Sequence, residues 1–205
     1  NLKKNFGFKY FSQKKTLSLT NLSKLNPKYI FFIHWSYIIP RKIYENYQCI
    51  VFHMTDLPFG RGSSPLQNLI LLNKSKTKIS AIKCNQIIDG GPIYLKKTLN
   101  LNGSAEIILS RMKKIIDKMI LNIILKNPKP KKQVGRVKKF KRLKNSEINF
   151  KKTKKIIDFY NKIRMFDSKS YNKTYIRINN FFIKLYNAKK YKNKIYAKTI
   201  ISFKK

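Results

Sequence analysis

The chain has 205 residues and a formal net charge of +39, from 47 Lys and Arg against 8 Asp and Glu. That length suits one domain plus a smaller one. Two separated histidines and two separated cysteines exclude a zinc site, and no apolar run of membrane-spanning length or signal peptide is visible, so a cytoplasmic protein with no membrane partner is expected.

The charge has two readings. It fits a nucleic-acid partner or another anionic surface. It also fits an A/T-rich genome, because Lys, Asn, Ile, Phe and Tyr share A/T-rich codons. In both cases the surface draws in anions, phosphorylated substrates included. Cys49 and Cys84 lie in apolar, strand-like runs with no CxxC pairing, as structural thiols in a reducing compartment do.

In chain order, Lys9–Phe11 reads as a short strand, and Ser18–Ser23 as a helical turn with Leu19 and Leu22 on one face. Asn26-Pro27 breaks the chain. Tyr29–Ile33 is an apolar run of the kind buried on both faces of a parallel sheet. Pro40 suits the first position of a helix through Tyr47. Ile50-Val51-Phe52 is the next strand, and it delivers His53. Pro65 opens a helix through Leu72, Lys78–Lys83 and Ile93–Leu95 read as strands, and Asp89-Gly90-Gly91 as a turn. Ser104 is an N-cap for a long helix whose apolar stripe is Ile108, Met112, Ile115, Met119 and Ile123. Two prolines among lysines make Lys126–Lys132 a solvated tether. Beyond it, Ile156–Ile163 reads as a helix with Phe150 near its start, Tyr175–Leu185 as two strands around Asn179-Asn180, and Ile195–Phe203 as a last strand.

An imidazole at a strand's end and a carboxylate before a Gly-Gly turn form a proton-transfer pair if the fold joins them. The segment Phe52-His53-Met54-Thr55-Asp56-Leu57-Pro58-Phe59-Gly60-Arg61-Gly62 resembles the His-x-Ser-x-Leu-Pro-x-x-Arg-Gly segment of the folate-dependent formyltransferases. Ile88-Asp89-Gly90-Gly91-Pro92-Ile93 is similar to their Asp-x-Gly-x-Ile segment, and Ile38-Ile39-Pro40 to their Ile-Leu-Pro. The resemblance covers residues 20–125 best. It implies an open Rossmann-like α/β sheet in residues 1–125, a basic linker over 126–149 and a small C-terminal α+β domain over 150–205. It also implies a strand and helix ahead of Asn1, so an N-terminal truncation is expected.

The resemblance further implies 10-formyltetrahydrofolate as the cofactor and His53 with Asp89 as the catalytic pair. Ile38, Ile39, Leu57, Ile87, Ile88 and Gly90 fall where the family contacts the pterin. One departure stands out. The family carries Asn two residues before the His, as an oxyanion donor, and this chain has Val51. His34, Trp35, Gln67 and Asn68 are the candidates to replace it, with His34 placed best by its position after a strand. The Thr55–Gly62 loop differs from the Ser-Leu-Leu-Pro-x-Trp-Arg-Gly of the methionyl-tRNA enzymes. That favours a small-molecule amine as acceptor, an amino sugar on a nucleotide carrier, with methionyl-tRNA as the alternative. A basic nucleic-acid-binding protein without catalysis is the third reading. No cluster of residues with metal-ligand spacing is present.

Overall fold

In the computed structural model, which describes residues 6–11, 17–143, 146–150 and 153–204, regular structure begins where a cap allows it. The Ser18 side chain accepts the Asn21 N–H and starts α1 (Leu19–Leu25). Asn26, at φ 41°, ends it by donating its N–H to the Leu22 carbonyl. Leu22 is buried, but Leu19, expected beside it, is exposed. Lys9–Phe11 holds no strand. Next come β1 (Ile30–Phe32), α2 (Arg41–Asn46) and β2 (Cys49–His53). Pro40 is the N-cap of α2 and not its first helical residue, since its ψ of 142° is extended while its carbonyl accepts the Ile43 N–H. The chain continues through β3 (Phe59–Gly62), α3 (Pro65–Leu71), β4 (Lys76–Lys83), β5 (Ile93–Asn100) and α4 (Ala105–Lys126). It closes with β6 (Lys138–Phe140), α5 (Ile156–Arg164), β7 (Thr174–Ile178), β8 (Phe181–Tyr191) and β9 (Lys194–Phe203).

The main sheet has the order β1-β2-β4-β5. β1 and β2 are parallel, with Phe32 opposite Val51, as α2 between them permits. The sheet is mixed, because β4 runs antiparallel to β2 with Ser80 opposite His53. β4 and β5 follow one another with only residues 84–92 between them, too few for the crossover that parallel pairing needs. The fold is therefore an α/β sheet with a separate antiparallel sheet, β7-β8-β9.

The chain forms two compact units that interleave along the sequence. The first takes residues 1–61, 78–97 and 115–138, and the second takes 62–77, 98–114 and 139–205. The divisions expected at residues 125 and 150 do not coincide with them. The first unit packs Leu22, Phe32, Ile39, Ile43 and Cys49 into one core. The second is centred on Ile148, Ile163 and Leu185, from the run before α5, α5 itself and β8. Asn179, at φ 50°, turns β7 into β8 as its residue type suggests.

Three local expectations shift. The stripe on α4 drifts towards Ile116 and Ile120, which are buried, and leaves Ile115 at its edge. The tether after α4 is partly pinned: Lys131 and Ile93 exchange two backbone hydrogen bonds of 2.7 and 2.9 Å. The flanking prolines lack an N–H, but Lys131 has one to give. Phe150 lies outside α5 and meets it only by its ring, 5.6 Å from that of Phe159. No helix among the described residues is long and apolar enough to cross a membrane.

Candidate active site

Side chains alternate along a strand, so Val51 and His53 share one face of β2. His53 ends the strand and is only 8 % exposed. Asp89 belongs to the loop between β4 and β5. Asn85 accepts the Ile87 N–H through its side chain, and the Gly90 N–H donates to the Ile87 carbonyl. Asp89 itself takes φ 53°, a conformation that Asp tolerates better than most residues. Gly91 is obligatory for a different reason: a Cβ there would lie 1.7 Å from the Lys83 carbonyl oxygen. The loop is thus pressed against the end of β4.

This geometry brings His53 Nδ1 to 3.3 Å from Asp89 Oδ1. On its other side, His53 Nε2 lies 2.8 Å from the Gly60 carbonyl. A carbonyl only accepts, so Nε2 carries a proton in this arrangement, an assignment that follows from the hydrogen-bond network. A ring with a proton on both nitrogens satisfies both oxygen partners at once. Gly60 also accepts the Thr55 hydroxyl, at 3.3 Å.

The loop between β2 and β3 is held just as closely. Ser80, fully buried, donates its hydroxyl to the Thr55 carbonyl and accepts the Leu57 N–H. Lys78 and Lys96 both pair with Asp56, and Lys96 also donates to the Leu57 carbonyl. Partial desolvation opposes the Asp56 charge, but the hydrogen bonds from Lys96 and Lys78 outweigh it and hold the carboxyl below its ordinary value.

Behind the pair sits a clamp that joins three segments. Arg61 donates from Nε and Nη2 to Gln133 Oε1, at 3.2 and 2.7 Å. Gln133 Nε2 donates in turn to the carbonyls of Asp89 and Gly91, each at 2.8 Å. Gln133 therefore reads the position of the Asp89 loop through its backbone. Nothing in the sequence pointed to it, since it lies within the segment read as a linker and has no periodic pattern around it.

Against this geometry stand the likenesses to known proteins. The family model for the C-terminal domain of methionyl-tRNA formyltransferase matches residues 143–202. The solved structure of a methionyl-tRNA formyltransferase from Clostridium thermocellum is 43 % identical, with a TM-score of 0.90 over 94 % of this chain and 86 % of that one. The chain belongs to the formyltransferase family. Methionyl-tRNA formyltransferase of Rickettsia typhi is 35 % identical over 89 residues, which is 42 % of this chain and 29 % of that protein. The chain spans under half the length of the curated relatives it matches. An N-formyltransferase from Helicobacter canadensis, in complex with folinic acid and dTDP-3-aminofucose, shares the fold at 21 % identity, with a TM-score of 0.56 over 84 % of this chain and 72 % of that one.

For a formyltransferase, the residues expected to contact pterin divide into two groups. Ile38, Ile87 and Ile88 are 79, 52 and 68 % exposed and offer open apolar surface. Ile39 and Leu57 do not: both are buried, Ile39 in the core of the first unit. Their apolar character serves packing. Gly90 contributes its N–H to the turn, and a Cβ there would overlap the Ile87 side chain.

The candidates to replace the formyltransferase asparagine divide as well. Gln67 donates to the Met165 carbonyl, and Asn68 to the carbonyls of Ser63, Ser64 and Lys141, so both are occupied. His34 stands just past β1 at φ 53°, with an exposed ring and no hydrogen bond among the described residues. Desolvation on its protein side pushes its pKa below 6.5. The Trp35 Nε1–H is buried without an acceptor among the described residues, its ring edge-on to Phe32 and Tyr37.

Proposed function

We propose that this chain transfers a formyl group from 10-formyltetrahydrofolate to the amino group of methionyl-tRNA. The observation that carries the reading is the buried His53–Asp89 pair, 3.3 Å apart, inside the segments that resemble the family's. The exposed side chains of Ile38, Ile87 and Ile88 fit the flat faces of a pterin ring, and these residues would hold it. When bound, the folate would supply the formyl group on N10, the arylamine nitrogen between its pterin and its aminobenzoyl group.

The chain's own residues then manage protons and charge. An amine attacks only when it has lost a proton, and a departing nitrogen must gain one. His53 is the residue that holds and moves that proton, at Nδ1 or Nε2. Asp89 orients the ring through its carboxylate, 3.3 Å from Nδ1. Ser80, Lys78 and Lys96 fix the loop after His53, and Arg61 with Gln133 fixes the loop of Asp89, so neither partner spends energy on reorganisation. Val51 has no donor to give, and His34 is the side chain proposed to serve in its place, with Trp35 beside it.

The choice of tRNA over an amino sugar rests on the match to residues 143–202 and on the surface there. β8 and β9 expose Lys184, Lys189, Lys194 and Lys198 together with Tyr191 and Tyr196. Cations interleaved with aromatic rings suit a ribose-phosphate chain and its bases. The amino-sugar enzymes share the fold at lower identity. A basic protein without catalysis has no use for a buried His–Asp pair.

The test is single-turnover transfer from 10-formyltetrahydrofolate to methionyl-tRNA and, separately, to a nucleotide-linked amino sugar. Formylated tRNA from the parent and little from His53→Ala is the expected result. Product on the sugar alone overturns the acceptor, and product on neither overturns the catalytic reading.

A further inference from the structure

The second unit contains a cleft of about 550 Å³ to which no residue of the His53–Asp89 site contributes. Its floor is Arg164, only 9 % exposed. Arg164 donates from Nε to Asn161 Oδ1 and from Nη1 to the carbonyls of Leu101 and Gly103, at 2.7, 2.7 and 3.0 Å. Asn161 is oriented for this by its own bonds to the Ile70 carbonyl and Asn73 Oδ1. Every partner of the guanidinium is thus a neutral oxygen, and among the described residues no carboxylate pairs with it. Its Nη2 makes no hydrogen bond among them. The remaining wall adds a second cation, Lys74, and the Tyr160 ring, whose centroid is 5.7 Å from the guanidinium carbon. Among the described residues no acidic side chain lines the cleft.

A buried cation without a counter-charge is costly, and a mutation-tolerant structural role would be filled as well by a neutral side chain. Desolvation pulls the Arg164 pKa down, with the Tyr160 hydroxyl acting in the opposite direction. A planar fork held at Nε and Nη1, with Nη2 left over, presents a directed donor to a tetrahedral oxyanion. We propose that this cleft binds the phosphate of a nucleotide unit, the anion between Arg164 and Lys74 and the base or ribose against Tyr160. The inference does not depend on formyl transfer, and it names a contact for phosphate that the exposed face of β8 and β9 does not supply.

Amide and guanidinium NMR of the full chain tests it at fixed ionic strength. Inorganic phosphate should shift the Lys74, Ser75, Asn102 and Gly103 amides and Arg164 Nε–H saturably, while an equal ionic strength of chloride should not. Lys74 is exposed, so Lys74→Ala keeps the fold and should weaken the titration about three- to fivefold, as removal of one accessible charge does. AMP and a short RNA without terminal phosphates then separate the two sources: saturation by AMP alone assigns a free nucleotide, and saturation by the RNA assigns a backbone phosphate. Arg164→Lys, which keeps the charge and loses the fork, should lose the saturable shifts while the second unit's amide spectrum stays folded. Equal shifts with chloride, or an unchanged titration in Lys74→Ala, overturn the proposal.

Discussion

Asp89 faces two ways at once: its carboxylate meets His53 while its main-chain carbonyl is held by Gln133. The two roles separate by substitution. Asp89→Asn keeps the shape and the backbone contact but removes the charge that a protonated His53 needs opposite Nδ1. Formyl transfer should fall about a hundredfold or more, the usual scale for disabling acid–base chemistry, with the unfolding midpoint in urea near that of the parent. Gln133 is a positioning residue, and its test must distinguish position from mere packing. Gln133→Ala should lower kcat and leave the pH dependence of the remaining activity in place, because His53 and Asp89 are untouched. Gln133→Glu keeps an acceptor for Arg61 but loses the donor to the Asp89 and Gly91 carbonyls. It should resemble Gln133→Ala, and a Glu variant with full rate would show that the Arg61 contact alone matters.

At the scale of elements, most of the fold was readable because apolar period and cap chemistry are local. Ser18, Asn26, Pro65 and Asn179 mark the ends of elements by physics that acts within a few residues. Strand direction was not readable, since Lys78–Lys83 has the same composition whether it pairs parallel or antiparallel. Nor was the clamp, because Arg61 and Gln133 lie 72 residues apart and only the fold joins them. His53 and Asp89 were singled out by their surrounding motif rather than their separation, and the fold brings them within 3.3 Å. The β2–β4 register also has a result that local reading missed: Cys49 falls opposite Cys84, and the Cys84 N–H donates to the Cys49 carbonyl. Burial, with the neighbouring Cys84 adding to it, pushes the Cys49 thiol up to about 12. Burial and then the Asp89 charge push Cys84 to about 11. Both values lie above the unfolded 9.0, so this pair's contribution to stability is complete below pH 9 and is lost as pH rises towards 11 and 12. Urea titrations between pH 8 and 11 should show a decline that Cys49→Ala reduces; an identical slope in that variant would remove the thiols from the account.

For the whole molecule the governing quantity is a net charge of +39. Self-repulsion works against the folded chain, and salt screens it over about 10 Å at 0.1 M. The proposed binding of tRNA would respond in the opposite sense, because each neutralised phosphate releases a counterion that added salt must replace. Raising salt from 0.05 to 0.5 M should therefore raise the melting temperature while it weakens tRNA binding steeply, by calorimetry and filter binding on one preparation. Binding that ignores salt would contradict a phosphate-led contact. The interleaving of the two units bears on a different moment in the protein's life, its synthesis. The first unit needs residues 115–138, so β2 and its histidine leave the ribosome well before the segment that carries Gln133. At roughly 5–20 residues per second, that gap lasts on the order of ten seconds. Through that interval the nascent chain holds its apolar strands without a finished core to bury them in, which makes it a natural client for a chaperone waiting at the exit tunnel.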